Sequence, residues 1–380
     1  MKVLKQAPDK VFTLLLQCLK STTLPNDTIQ NILQDEKKLI SLSYLHAVFP
    51  IVYNKIISSN LHTKNNENLK KLYINHIKTT LMMSSQLTYI IHFLEKNHIK
   101  TLSFKGPTLA QIAYKNPNLR QFSDIDILIQ RKDCEKMLSL MISQGYIPEI
   151  KLDKKIKKTF FYSVNALGFH HPTNHTYIEI HWELFAKNYA ITWREEMIWQ
   201  HSTFMQFNNQ EIRILTFEMY LLYLCVHGSK HLFSRLLWLY DIDRLIHSQT
   251  NINWNTLIEK SKKYGLLRIF LFSISLAHTF FDTKIPKFIL KMASHDTHIS
   301  VLKKHVINIY LSKQKNEVKT YHTFFLLLQL RERQRDKINF IRYALFATKF
   351  NDFKYIQLPY SLSFLYPIVR LLRLSMKYFR

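Results

Sequence analysis

The chain has 380 residues, 47% of them hydrophobic, which is enough for two or three compact units and a sizeable core and excludes a disordered or fibrous chain. With 53 basic and 27 acidic residues the net charge is +26, which points to polyanion partners such as RNA, anionic lipid or an acidic glycan carrier; the alternative is lysine-rich drift of an AT-rich coding sequence, which does not explain the shortage of acids. Cys18, Cys134 and Cys225 have neither metal nor disulfide spacing, and the sequence shows no signal peptide and no apolar run of the roughly 18 residues that span a membrane, so the expectation is a cytoplasmic protein.

Residues 1–98 read as an N-terminal helical region. Val11 to Leu19 is amphipathic, Asp27 or Thr28 is suited to cap the next helix, and a long helical pattern runs from Leu69 to Asn97. Residues 99–185 read as a mixed core. Ile99 to Phe104 is a short apolar strand that ends in Lys105-Gly106 and passes into a helix over Pro107 to Tyr114. Proline suits the first helical position, and the free amides of a helix N-terminus attract phosphate. Only five glycines occur in the whole chain, far below the usual share of roughly 7%, so Gly106 at this turn stands out.

The strand Phe122 to Ile129 follows, with Ile125, Ile127 and Ile129 on one face and Asp124, Asp126 and Leu128 on the other. Two carboxylates on one face repel each other unless a cation lies over them; the alternative is a solvated strand edge. Mg²⁺ takes oxygen ligands and binds substrate phosphates as well. Asp133 to Gln144 reads as a helix, and Lys151 to Lys158, with five lysines in eight residues, as a solvated loop or one that overhangs the site and holds an anionic acceptor. Phe160 to Gly168 and Tyr177 to Leu184 read as an antiparallel pair, the second strand placing Glu179, His181 and Glu183 on one face. A phosphate turn, a pair of acids and a third acid on a neighbouring strand form a two-metal phosphoryl-transfer set. Asp124, Asp126 and Glu179 are the candidate catalytic and metal-binding residues, with Glu183 the competitor for the third acid.

These residues resemble the nucleotidyltransferase superfamily of DNA polymerase beta type, and most closely a bacterial branch of it. The resemblance rests on Phe104-Lys105-Gly106, Arg120, Asp124 with Asp126, and Glu179 with His181-Trp182. It continues in His227 to His231, in Trp238 with Asp241, and in Leu358-Pro359 and Arg370 to Arg373, from about residue 70 onward. It implies an α+β fold, a small mixed β-sheet nucleotidyltransferase core flanked by N-terminal and C-terminal helical regions. It implies two Mg²⁺ ions, with Mn²⁺ as substitute, a nucleoside triphosphate, and nucleotide contacts from Lys105, Gly106, Thr108, Arg120, Lys230 and His231. The wider superfamily carries Gly-Gly or Gly-Ser where this chain has Gly106-Pro107. Pro107 offers no amide, and the Thr108 hydroxyl is the candidate replacement. Arg120 either reaches the phosphates or pairs with a surface acid; His181 orients the third acid, touches substrate or is structural.

Residues 186–330 read as a C-terminal helical region, with helices over Leu215 to His231 and Ser234 to His247 and a buried helix over Leu266 to Phe281. His227 and His231 have zinc spacing, but Gly228 stands where a zinc-protease helix has glutamate, so zinc is discounted. Residues 331–380 form a basic tail of eleven basic and three acidic residues with an amphipathic end. The function expected is a Mg²⁺-dependent nucleotidyltransferase acting on a hydroxyl of RNA, protein or a small molecule. Two other classes fit parts of the sequence: a non-catalytic nucleotide- or RNA-binding module, and a peripheral membrane or assembly protein that contacts lipid through the tail.

Overall fold

The computed structural model describes residues 9–21, 24–59, 66–173, 176–191, 193–311 and 320–378. The chain forms two compact units, each assembled from three separate stretches. The fold is α+β, a small mixed sheet accompanied by many helices.

One unit comprises residues 83–108, 123–216 and 333–380 and holds the sheet. Its strands are β1 (Thr101–Ser103), β2 (Ile125–Ile129), β3 (Ile147–Pro148), β4 (Ala166–His170) and β5 (Tyr177–His181), in the spatial order β1-β2-β5-β4-β3. The β2–β5 pair is parallel and its neighbours are antiparallel, which makes the sheet mixed. In the parallel ladder Asp126 lies opposite Glu179 and Leu128 opposite His181. The alternating pattern of β2 suggests a strand with one wet face, yet all five of its residues are buried. A central strand covered on both sides explains this, and it puts Asp126 in the interior. The strand is also shorter than the sequence suggests, so Asp124 precedes it.

Two further differences concern residues 151–215. The lysine run is not a loop: residues from Lys154 form the helix Lys154–Ser163, whose Ile156, Phe160 and Phe161 are buried. Apolar spacing of four selects the helix even though lysines fill the positions between. The expected strand at Phe160 is thereby displaced to Ala166–His170. Where helices alone are expected after residue 186, a hairpin of β6 (Ser202–Phe207) and β7 (Gln210–Leu215) forms instead. Asn208 and Asn209 turn it with φ of 48° and 61°, the left-handed pair that a two-residue hairpin turn requires.

The other unit comprises residues 1–82, 109–122 and 217–332, and is helical wherever it is described. Its helices Phe217–Lys230 and Leu267–Phe281 are buried on nearly every side, as the largely apolar content of the second, interrupted by Arg268 and His278, predicts. No helix among the described residues is long and apolar enough to cross a membrane.

Candidate active site

The site is built where β1, β2 and β5 lie side by side. Asp126 Oδ1 accepts from Lys105 Nζ at 2.8 Å and lies 3.0 Å from His181 Nε2. The same His181 nitrogen is 3.1 Å from Glu179 Oε2. Asp126 is 1% exposed and His181 5%, so the cluster sits in a low-dielectric interior where charge must be matched. Asp126 Oδ2 is buried with no hydrogen-bond partner among the described residues.

Each protonation state follows from these contacts. Burial works against ionisation of Asp126, but the Lys105 ammonium and then His181 outweigh it and hold the carboxyl well below its ordinary range. Burial likewise opposes a charged His181, and Glu179 and Asp126 reverse that, pushing it up to about 9. Glu179 is held low against burial chiefly by His181. At neutral pH two carboxylates therefore face one ammonium and one imidazolium.

Local sequence sets this arrangement. Gly106 has φ of +55°, and a Cβ there would stand 3.0 Å from the Asp124 carbonyl oxygen. Only glycine combines that backbone with that approach, so the turn carrying Lys105 closes against the start of β2. The Phe104 ring stands edge-on to His181 at 5.0 Å. Beside it Trp182 turns the other way, its Nε1–H donating to the Val164 carbonyl at 2.7 Å. The His-Trp pair thus sends one ring to the acids and anchors the strand end with the other.

Asp126, Glu179 and His181 offer ligand atoms within 4.8 Å of one another. Asp124 is partly buried ahead of the strand and does not belong to that group. Glu183 lies past the end of β5 and pairs with Arg131, which removes it from the carboxylate cluster. The Thr108 hydroxyl is fully buried, donates to the Lys105 carbonyl at 2.9 Å and lies 2.9 Å from Ser103 Oγ. It braces the turn, and its single proton is committed. Arg120 belongs to the helical unit, where its Nε and Nη2 donate to the two carboxylate oxygens of Asp241 at 2.8 and 2.9 Å. Tyr114 Oη donates to the same carboxylate. The structure pairs Arg120 with an acid, but with the buried Asp241 rather than a surface one. Lys230 and His231 are also in the helical unit, where His231 stacks on Trp238 at 4.7 Å.

A second group near Glu179 was not legible in advance. Gly168 is the register partner of Glu179, and a side chain there would collide with the Tyr177 ring. Tyr177 lies among Glu149, Glu179 and Asp124, and burial followed by these acids keeps its phenol protonated. A glycine opposite an acid on a strand was the available signal.

The cluster fits a divalent cation. Asp126 has an ionised oxygen that nothing else satisfies, Glu179 is ionised beside it, and His181 already donates to both acids. Asp126, Glu179 and His181 together could hold a metal ion.

The model of a family described as uncharacterised nucleotidyltransferase matches residues 33–282. No curated protein matches the chain. Among solved structures, the lincomycin-bound lincosamide antibiotic adenylyltransferase LnuA is similar at 16% identity, covering 43% of this chain and 97% of that chain with a TM-score of 0.29. An antigenic nucleotidyltransferase-like protein from Paracoccidioides brasiliensis is similar at 14% identity, covering 53% and 93% with a TM-score of 0.30.

Proposed function

We propose, from the premise that the chain belongs to the uncharacterised nucleotidyltransferase family, that it is a Mg²⁺-dependent enzyme moving a nucleotidyl group from a nucleoside triphosphate to a hydroxyl acceptor. The observation that carries this reading is the buried, unpartnered Oδ2 of Asp126 beside the ionised Glu179. Asp124 and Asp126 would hold two cations, and Glu179 would complete the one on the acceptor side. Bound there, the two cations would neutralise the triphosphate and stabilise the departing pyrophosphate.

The chain's own groups do the rest. Lys105 and Gly106 form the phosphate turn. Glu179, kept ionised by His181, accepts the proton of the attacking hydroxyl. The new bond joins that hydroxyl oxygen to the α-phosphorus, and the bond to pyrophosphate breaks. Lys105 and His181 keep both acids ionised before a cation arrives. RNA, a protein side chain or a small molecule could supply the hydroxyl, and the net charge of +26 favours an anionic one.

Incubation with each α-labelled nucleoside triphosphate, Mg²⁺ and total cellular RNA, protein or small-molecule extract tests the reading: label should move to one acceptor class and not in Asp126→Asn. A second reading is a nucleotide- or RNA-binding module without turnover. It is favoured by one observation, that Lys105 and His181 already balance the two acids. Saturable nucleotide binding with no label transfer in any acceptor pool would select it.

A further inference from the structure

The helix Tyr366–Tyr378 is inside out. An amphipathic helix on a globular surface buries its apolar stripe and exposes its charges. Here the buried face carries Tyr366 and Arg370, with relative exposures of 0% and 3%, and next to them Arg373. Arg370 Nε donates to the carbonyls of Ala344 and Leu345 at 3.2 and 3.0 Å, and Arg373 Nε to Asp352 at 2.7 Å. The opposite face is apolar and exposed. Ile368 (54%), Leu371 (43%), Leu372 (57%) and Met376 (46%) recur at helical spacing, and Phe364 (70%) in the preceding turn adds to them. The neighbouring helix Gln334–Phe346 carries a further exposed stripe of Ile338, Ile341 and Leu345. Arginines held inward by a buried aspartate and by carbonyls fix this orientation, so the outward stripe is not a helix free to roll over.

Charge decides what such a face would meet. Residues 333–380 hold ten basic and two acidic residues, and both acids, Asp336 and Asp352, are buried and paired with arginine. The helix Lys154–Ser163 packs against the turn Tyr360–Leu365, and Lys158 Nζ stands 4.9 Å from the Tyr360 ring centroid. Lys154, Lys155 and Lys158 are exposed. Two copies meeting through this face would bring like charges together. RNA would leave the aliphatic stripe wet, because it is bound through phosphate contacts and base stacking. An anionic bilayer surface satisfies both features, taking Leu, Ile, Met and Phe at the acyl boundary and lysines among the headgroups.

We propose that the C-terminal helices and the Lys154–Ser163 helix form a docking face for anionic lipid membranes. The test is sedimentation of the full chain with vesicles of phosphatidylcholine alone and of phosphatidylcholine mixed with phosphatidylglycerol. The wild type should sediment with the mixed vesicles and not with the neutral ones. Phe364→Ser with Leu372→Glu should abolish sedimentation. Lys154→Gln with Lys155→Gln should weaken it roughly thirtyfold. All of these side chains are exposed, so unchanged thermal melting is expected and identifies variants that fold. Three results would overturn the proposal: no sedimentation of the wild type with mixed vesicles, undiminished sedimentation of the folded Phe364 and Leu372 double variant, or a dimer in light scattering that the double variant breaks while vesicles remain unbound.

Discussion

Asp126 and Glu179 are register partners across the parallel β2–β5 pair, and one nitrogen of His181 lies 3.0 Å from the first and 3.1 Å from the second. Adjacent parallel strands bring partner side chains to the same face, so the ladder itself creates a pair of acids close enough to share one cation. The histidine two residues after Glu179 favours the ionised form of Glu179 and, with Lys105, that of Asp126.

Lys105→Met should therefore cost stability before it costs anything else. Removing one partner of a buried ion pair leaves the other uncompensated, typically about 3 to 5 kcal/mol. Because a bound cation would restore the missing charge and stabilise only the folded state, Mg²⁺ or Mn²⁺ should raise the melting temperature of this variant more than that of the wild type. A variant as stable as the wild type in EDTA would show that the pair with Asp126 carries little of the balance.

The third acid is settled by comparing two variants. Glu179→Gln should remove nucleotidyl transfer yet leave triphosphate binding largely intact, since its proposed role is with the acceptor hydroxyl. Glu183→Gln should leave transfer near wild type, because Glu183 is engaged with Arg131. Its expected effect is confined to stability, on the order of 1 kcal/mol. Loss of transfer in Glu183→Gln alone would reverse the assignment.

Arg120 tests whether a motif position belongs to the site or to the frame. Arg120→Met should destabilise the protein by about 3 to 5 kcal/mol, since Asp241 then stays buried without its cation. Changing both residues, Arg120→Met with Asp241→Leu, should recover much of that loss. Urea titrations measure both. A fully stable Arg120→Met with weaker triphosphate binding would return the residue to the nucleotide.

Acid should act on the helical unit through His46. Its Nδ1 accepts from the Leu236 backbone N–H, and burial, with the Arg235 charge as a smaller cause, lowers its pKa from 6.5 to about 4. Because the folded protein binds this proton less readily than the unfolded chain, the stability it contributes is complete above pH 6.5 and is lost as pH falls towards 4. The whole window amounts to about 3 kcal/mol. His46→Asn should flatten the fall in chemical-denaturation stability over this range, and an unchanged slope would contradict it.

Much of this site is legible in the sequence because its signals are local. The strand around Ile125 and Asp126, the rare Gly106 beside Lys105, and Glu179 with His181 on one strand all survive folding, although the alternation of the first does not give its burial. What sequence could not order were choices made by distant partners. Whether Arg120 meets phosphate or acid depends on Asp241, far along the chain, and the Thr108 hydroxyl is spent on a carbonyl in its own turn. The lysine-rich stretch hid a helix because its apolar residues are few, although correctly spaced. The Asn208-Asn209 hairpin lies where helices are expected because its strand Ser202–Phe207 lacks clean apolar alternation. The inverted face of the last helix follows from Asp352, whose pairing no periodicity reveals.

The most direct test of the central claim is label transfer by Asp126→Asn with Mg²⁺ supplied. The substitution keeps the size of the side chain and removes the charge that would hold the cation. Circular dichroism and melting should remain those of a folded protein, with stability lowered by loss of the Lys105 pair. Transfer from the α-labelled nucleoside triphosphate should fall by orders of magnitude across every acceptor pool. Full transfer by folded Asp126→Asn would contradict the account.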